Sequence, residues 1–471
     1  MEIPHITRRS LIATAVTGGA AALLAQPAGL IEKASAAANP ACDPHAAVDP
    51  FGVHQAGITT SAPEHLRLAA FDLAPGTTRA QLVALLQTWQ GAITTLTQGL
   101  PLPDAGAPDK APADTGEALG QRADHLTITI GFGPSLFDGR FGLAAQRPAA
   151  LVDLPAFAGD ALDAARSNGD LSVQCCSDTR LVAEHALRTL ARLANERAVV
   201  RWTQSGFNEP PANPADGSGR NLLGFKDGTA NLDATDAARM ARNVWVDPAD
   251  GPAWLAGGTY QVYRRVLTNM RTWDESVLSE QEDVFGRRRA SGAPFGGLRE
   301  TDPVDNAQTP LTAHIRVANP RTGADSENER ILRRGYSFHD GVASDGTFDA
   351  GLAFVAYQRD PRRQFITMQT RLAANDALNE YITHTASAIF VIPPGTTAAG
   401  YVGETLLGAA APRVTQPNPA ADLRVSPPPA PAAPSPAPPA AGPAPAPAPG
   451  AAPGPARPPQ PKRRKVRRPL R

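Results

Sequence analysis

The chain has 471 residues, with 45 basic and 45 acidic side chains and 42% hydrophobic residues. That hydrophobic content excludes global disorder, and the length supplies core for two or three domains. The zero net charge is unevenly placed: residues 426–471 carry eight basic side chains and no acidic one, which leaves an acidic body over 40–425. A nucleic-acid enzyme would carry its positive groove in the body, so the charge argues against a nucleic-acid partner. The three cysteines, Cys42, Cys175 and Cys176, make neither a disulfide framework nor a CxxC zinc pair.

In chain order, residues 1–38 read as an export signal. Arg8-Arg9 opens an uncharged run from Ser10 to Ile31, and Ala34-Ser35-Ala36 follows before Ala37. The paired arginines point to the twin-arginine route, which moves folded chains and so fits a cofactor loaded before export. Residues 39–62 are expected to be a linker. His65–Leu73 alternates as a strand, and Arg79–Gly99 has a helical apolar stripe (Leu82, Leu85, Leu86, Trp89). Leu126–Phe132 alternates, Leu171–Val173 is a short strand, Asp178–Asn195 a helix, and Ala198–Thr203 a strand. This strand–helix–strand order, given twice, predicts a ferredoxin-like α+β module with an antiparallel sheet over 63–220.

A second such module is expected over 221–412. Its strands are Thr259–Met270, Leu352–Tyr357 and Ala388–Ile392, and its helices Trp273–Gly286 and Phe365–Leu372. From Ser426 the chain turns to Ala/Pro repeat, with 18 prolines in 46 residues. The tail over 413–471 is expected to be disordered: such a segment buries no core and reaches on the order of 140 Å as polyproline. It ends in a basic cluster from Lys462 to Arg468, suited to anionic cell-wall polymer or lipid headgroups, or simply to solvation.

Four segments of the second half carry the chemistry. In Gly224-Phe225-Lys226-Asp227-Gly228 two glycines bracket one acid, a tight turn that presents Asp227. His314 in Ala313-His314-Ile315-Arg316 has no HxH or HxxxH partner. A metal held by protein side chains alone is therefore not expected; a lone His is more often structural, and a single ligand to a haem iron stays open beside that reading. The third segment is Leu332-Arg333-Arg334-Gly335-Tyr336, and the fourth is Gly351-Leu352-Ala353-Phe354-Val355-Ala356-Tyr357.

These segments resemble the dye-decolorizing peroxidases, in particular their exported deferrochelatase/peroxidase branch. The resemblance rests on "NLLGFKDGTAN", "HIRVANPR", "LRRGYSF" and "GLAFVAYQRD" in that order, with "GFG" at 131–133 and "GGTYQVYRR" at 257–265. It covers about residues 60–410. It implies two ferredoxin-like modules of the dimeric α+β barrel type, with one haem b in the C-terminal one. His314 is implied as the axial ligand, Asp227 as the distal acid–base residue and Arg333 as the distal arginine, with Arg334 as the alternative. Gly228 and Arg316 are implied at the cofactor, and Leu352 and Phe354 as the apolar pair walling the distal pocket. Glu380 is the candidate carboxylate behind His314, with Asp376 as the fallback.

The function so implied is oxidation of dyes, phenolics or other one-electron donors by hydrogen peroxide. The alternative is a haem-handling deferrochelatase that releases iron from haem. Two further readings are a haem-free binding module and a chlorite-dismutase-like activity; the GxxDG acid argues against the latter. Asp227 would move a proton between the two peroxide oxygens and Arg333 would stabilise the charge that develops. Carboxylates titrate near ~3.9 and imidazoles near ~6.5, so a carboxylate base predicts activity that persists into acid. Tyr336, Tyr357 and Trp273 are candidate surface aromatics for electron exit. Self-association and a periplasmic, cell-wall-associated or secreted location complete the expectations.

Overall fold

The computed structural model describes residues 45–103, 108–213 and 216–408. The expected signal segment, Cys42 and the Pro-rich basic tail lie outside the described residues.

The first module begins with β1 (His65–Leu73), as its alternation predicts. Both faces of this strand are covered: Leu66, Leu68 and Ala70 point to one core, Ala69, Phe71 and Leu73 to another. Helix α1 (Arg79–Leu96) starts where Thr78 and Gln81 satisfy each other's backbone N–H groups in a capping box. Strands β2 (Thr127–Phe132) and β3 (Leu171–Ser177), helix α2 (Arg180–Leu193) and strand β4 (Ala198–Phe207) complete the unit. The helices pack their apolar stripes on the outer face of the sheet, where Trp89 Nε1 donates to Leu190 O (2.8 Å). Strand β3 runs past the expected Val173, because Gln174, Cys175 and Cys176 stay in register with β1 and β2.

The second module runs α3 (Ala237–Asn243), β5 (Thr259–Thr268), α4 (Met270–Glu275) and α5 (Leu278–Phe285). It continues with α6 (His314–Ala318), α7 (Ala324–Asn328), β6 (Leu332–Arg333), β7 (Tyr336–Val342) and β8 (Phe348–Gln358). Helix α8 (Phe365–Asn375), strand β9 (Ile382–Ile392) and α9 (Glu404–Leu407) close the described chain. The single helix expected over 273–286 is two, broken at Ser276 and Val277, which adopt extended backbone.

The sheet order is β4-β1-β3-β2 in the first module and β9-β5-β8-β7 in the second, the same ferredoxin-like arrangement twice. The halves join at Phe132–Val391 (β2–β9) and Phe207–Ser337 (β4–β7), so eight antiparallel strands close into a barrel. Its interior holds Leu66, Leu68, Tyr263, Tyr336, Tyr357 and Phe390. It also holds polar groups that satisfy one another: Tyr357 OH donates to Gln174 Oε1 (2.8 Å), and Gln261 Nε2 donates to Tyr357 OH (2.9 Å).

Residues 45–62, expected as linker, include both exposed positions and core contacts. Gln55 is buried and spans the sheet seam, donating to both Ile130 O and Pro393 O, and Ile58 enters the barrel core.

Candidate functional site

Over the outer face of the second half-sheet α6 and α8 pack on each other but stand off the strands, and a cleft lies between. It encloses about 1840 Å³, its open mouth included. Val266, Leu352, Phe354 and Ile382 form its sheet wall, and Met368 and Leu372 of α8 face them. Leu352 and Phe354 reach it because β8 alternates: Ala353 and Val355 point into the barrel, and their neighbours point out.

His314 is the first residue of α6 and lines this cleft. Its Nδ1 lies 2.6 Å from Oδ2 of Asp376, whose side chain is 2% exposed. Asp376 is held by a local device: its Oδ1 accepts the Leu378 amide (2.9 Å) and so caps the turn over 377–380. Next to it, Ala377 N donates to Thr312 O (2.9 Å), which ties this turn to α6. Burial works against a charged imidazole here, but the charge of Asp376 and its hydrogen bond outweigh it and raise the His314 pKa above its ordinary value. The expected partner Glu380 is exposed at the end of the same turn; the carboxylate on His314 is Asp376.

Asp227 enters from a turn with no regular structure of its own. Asn221 Oδ1 accepts the amides of Leu223 (3.1 Å) and Phe225 (3.3 Å), and Gly224 and Gly228 take positive φ of 80° and 128°. Phe225 plugs the turn into the protein by stacking on Phe285 (4.1 Å between centroids). Arg220 clamps it from outside, donating to Gly224 O (2.7 Å) and Arg289 O (2.7 Å). Gly228 contributes through its backbone: it lets the chain turn directly after Asp227, where a Cβ would sit 3.1 Å from Ser218 Oγ.

Arg333 also lines the cleft, with Nη1 3.8 Å from Asp227 Oδ1 and Nη2 donating to Thr229 O (2.8 Å). Its backbone is pinned by Asn231, which accepts Arg333 N at Oδ1 (3.0 Å) and donates to Arg333 O from Nδ2 (2.8 Å). Arg334 is on the opposite side of the strand, 6% exposed, and donates to Thr60 O (2.6 Å) and Ser61 O (3.0 Å). Neighbouring residues of an extended chain point to opposite faces, and this selects Arg333 for the cleft. Arg316 does not reach it. Its guanidinium donates to Asn306 O and Thr309 O and ties down the preceding loop. The cations that do line the cleft are Lys226, Arg264, Arg287, Arg321 and Arg330 besides Arg333.

The donor set suits one cofactor type. Among the described residues no group of three or more His, Cys, Asp or Glu side chains is arranged to hold a bare metal ion. One imidazole with Nδ1 engaged leaves Nε2 as a single axial donor, the apolar walls suit a flat macrocycle, and the arginines suit its carboxylates. The chain is thus two fused ferredoxin-like modules with this cleft in the second.

The comparisons agree. Residues 55–208 match the Dyp-type peroxidase N-terminal domain and residues 218–397 the Dyp-type peroxidase C-terminal domain. The deferrochelatase of Escherichia coli O6:K15:H31 (strain 536 / UPEC) is 42% identical over 368 residues, 76% of this chain and 86% of that protein. Ferric DtpA from Streptomyces lividans superposes with a TM-score of 0.71 at 41% identity, covering 77% of this chain and 98% of that one. A DyP-type peroxidase from Cellulomonas bogoriensis gives a TM-score of 0.70 at 39% identity, covering 79% of this chain and 100% of that one. The chain belongs to the Dyp-type peroxidase family, haem enzymes that use hydrogen peroxide as oxidant.

Tyr336, Tyr357 and Trp273, expected as surface aromatics, are 1%, 0% and 2% exposed. None of them is a surface contact for a reductant. Tyr336 and Tyr357 are barrel core, and Trp273 packs against Phe285 and Tyr381.

Proposed function

We propose that in this peroxidase His314 would hold the haem iron, with Asp227 as the acid–base residue and Arg333 as the charge-stabilising residue. The observation that carries the reading is their convergence on one cleft, with Asp227 and Arg333 paired at 3.8 Å. Haem held there would supply the redox chemistry for reducing hydrogen peroxide. The protein's part is positioning and proton transfer. Asp376 holds the His314 ring by Nδ1 and makes Nε2 the more basic nitrogen. Asp227 accepts a proton from one peroxide oxygen and returns it to the departing one. Arg333, carried by Asn231 and Thr229, stabilises the negative charge that develops between these events. Leu352 and Phe354 keep the space over the cofactor small and apolar, which favours peroxide over a bulky dye.

The test is the rate of peroxide-dependent oxidation of a dye. Asp227→Ala and Arg333→Leu lower it by at least about a hundredfold with haem retained; a variant with full haem and full rate overturns its assigned role. A second reading, release of iron from haem, is favoured by the relatives named deferrochelatase at 42% identity. Iron appearing in a ferrous chelator from the haem-loaded protein, without peroxide and without loss of the porphyrin, would select it. Twin-arginine export, contact of the basic tail with anionic cell-wall polymer or membrane, self-association and an organic reductant belong to the same proposal. Export and the tail's role are supported by Arg8-Arg9, the A-x-A site and the Lys462–Arg468 cluster. Arg8→Lys with Arg9→Lys tests export: it leaves the protein in the cytoplasmic fraction.

A further inference from the structure

The turn that carries Asp227 is gripped by a side chain from a different loop. Glu300 Oε1 accepts the hydroxyls of Ser218 (2.7 Å) and Thr229 (2.7 Å). Its Oε2 accepts Lys226 Nζ (2.9 Å) and the Ser218 amide (3.3 Å). Lys226 and Thr229 bracket Asp227 in sequence, so one carboxylate gathers both flanks of the turn. Thr229 also accepts Arg333 Nη2 at its carbonyl (2.8 Å), which links the same grip to the arginine across from Asp227.

The arrangement is built for this carboxylate. The Lys226 and Glu300 side chains are only 10% and 11% exposed, so removing either leaves a poorly solvated charge. Glu300 is itself anchored, since Arg287 Nη1 donates to Glu300 O (3.0 Å) and to Gly292 O (2.7 Å). Gly217 and Gly292 leave the room: a Cβ on Gly217 would strike the Glu300 carboxylate, and one on Gly292 would lie 2.6 Å from Lys226 Cδ. Burial works against the charge, but the donors outweigh it and hold the Glu300 carboxyl down to about 2, so it stays ionised where proteins work.

We propose that Glu300 is a positioning residue: by holding Ser218, Lys226 and Thr229 it fixes the Asp227 carboxylate relative to Arg333, so that the proton passes without rearrangement of the turn. This rests on Asp227 being the acid–base residue. A misplacement of about 1 Å at a reacting group costs up to ~100-fold in rate, which sets the size of the effect.

The test uses the full haem-loaded chain. In stopped flow, Glu300→Ala lowers the second-order constant for hydrogen peroxide about 10- to 100-fold. The Kd for hemin changes by less than about twofold, since it does not depend on where Asp227 lies. Amide hydrogen exchange over 217–230 speeds up while the barrel strands keep their protection. In an Asp227→Ala background, Glu300→Ala adds almost nothing, because the residue it positions is gone. Glu300→Gln and Thr229→Val, which keep the local shape, give smaller losses of the same kind and carry the test if Glu300→Ala does not fold. The proposal is overturned if Asp227→Ala slows the peroxide step and the Glu300 and Thr229 variants do not, or if the losses multiply in the double variant. If Asp227→Ala itself leaves the peroxide step unchanged, the acid–base reading fails, and the role of Glu300 with it.

Discussion

Replacing Asp376 by Asn removes one charge from behind His314 and one of its two acceptor oxygens. The single carboxamide oxygen of Asp376→Asn accepts either the Leu378 amide or His314 Nδ1–H, and in the second case the imidazole bond survives as a neutral pair. The carboxylate is 2% exposed and 2.6 Å from the imidazole, so solvent and salt screen the pair poorly. A hydrogen bond to an ionised group contributes ~1.5–3 kcal/mol, against ~0.5–1.5 kcal/mol for a neutral pair. The difference of about 1.4 kcal/mol corresponds to about tenfold weaker hemin binding. That sits at the low end of the ~10–100-fold range for loss of an outer-shell partner. A less electron-rich imidazole also favours ferrous iron, so the reduction potential rises. Hemin titration at the Soret band gives the affinity, and spectroelectrochemistry gives the potential. Both unchanged from wild type, or a fall in potential, would refute the reasoning. Glu380→Gln serves as the control: it lies at the surface and is expected to change neither, whereas a loss equal to that of Asp376→Asn would return the role to Glu380.

Two further outcomes follow from the same structure. The Glu300 carboxyl is held to about 2, against 4.5 ordinarily. A depressed folded pKa stabilises fully above the unfolded value and ceases to do so as pH falls through the folded one. Wild type therefore loses stability of the order of 3 kcal/mol between pH 4.5 and 2 from this group, and Glu300→Gln flattens that part of the profile in denaturant unfolding. Cys175 and Cys176 are both 0% exposed, and burial pushes both thiols up. A thiol reagent is expected to modify them only as fast as the protein opens; rapid modification of the native protein would contradict this.

His65–Leu73 was legible end to end because it alternates. Legibility failed where polar residues are buried in mutual hydrogen bonds. Gln174 ends the apolar run of β3 but is core, because Gln261 and Tyr357 meet it inside the barrel. Strand β7 was not expected at all: its stretch His339-Asp340-Gly341 is polar, yet it stays in the strand, with Asp340 paired to the buried Arg265. Barrel closure depends on single pairings between distant strands, which no local pattern encodes.

The same split holds at the site. His314, Asp227, Arg333, Leu352 and Phe354 stand in short motifs, and all five line the cleft. The choice between Asp376 and Glu380 was not open to spacing, since they stand four residues apart on one turn. It was decided by which of them faces inward to cap that turn. Arg316 carried no signal to separate a cofactor contact from a loop tether. Glu300 and Asn231 were missed for a related reason: each acts by holding a residue distant in sequence.

The most direct test of the account is the absorption spectrum of the folded full chain after hemin reconstitution, taken for wild type and for His314→Ala. The account predicts a Soret band in wild type at one haem per chain, and in His314→Ala a weakened and shifted band that imidazole added to the solution restores. An identical band in both proteins, unaffected by imidazole, would show that the iron is held elsewhere and would contradict the assignment on which the site rests.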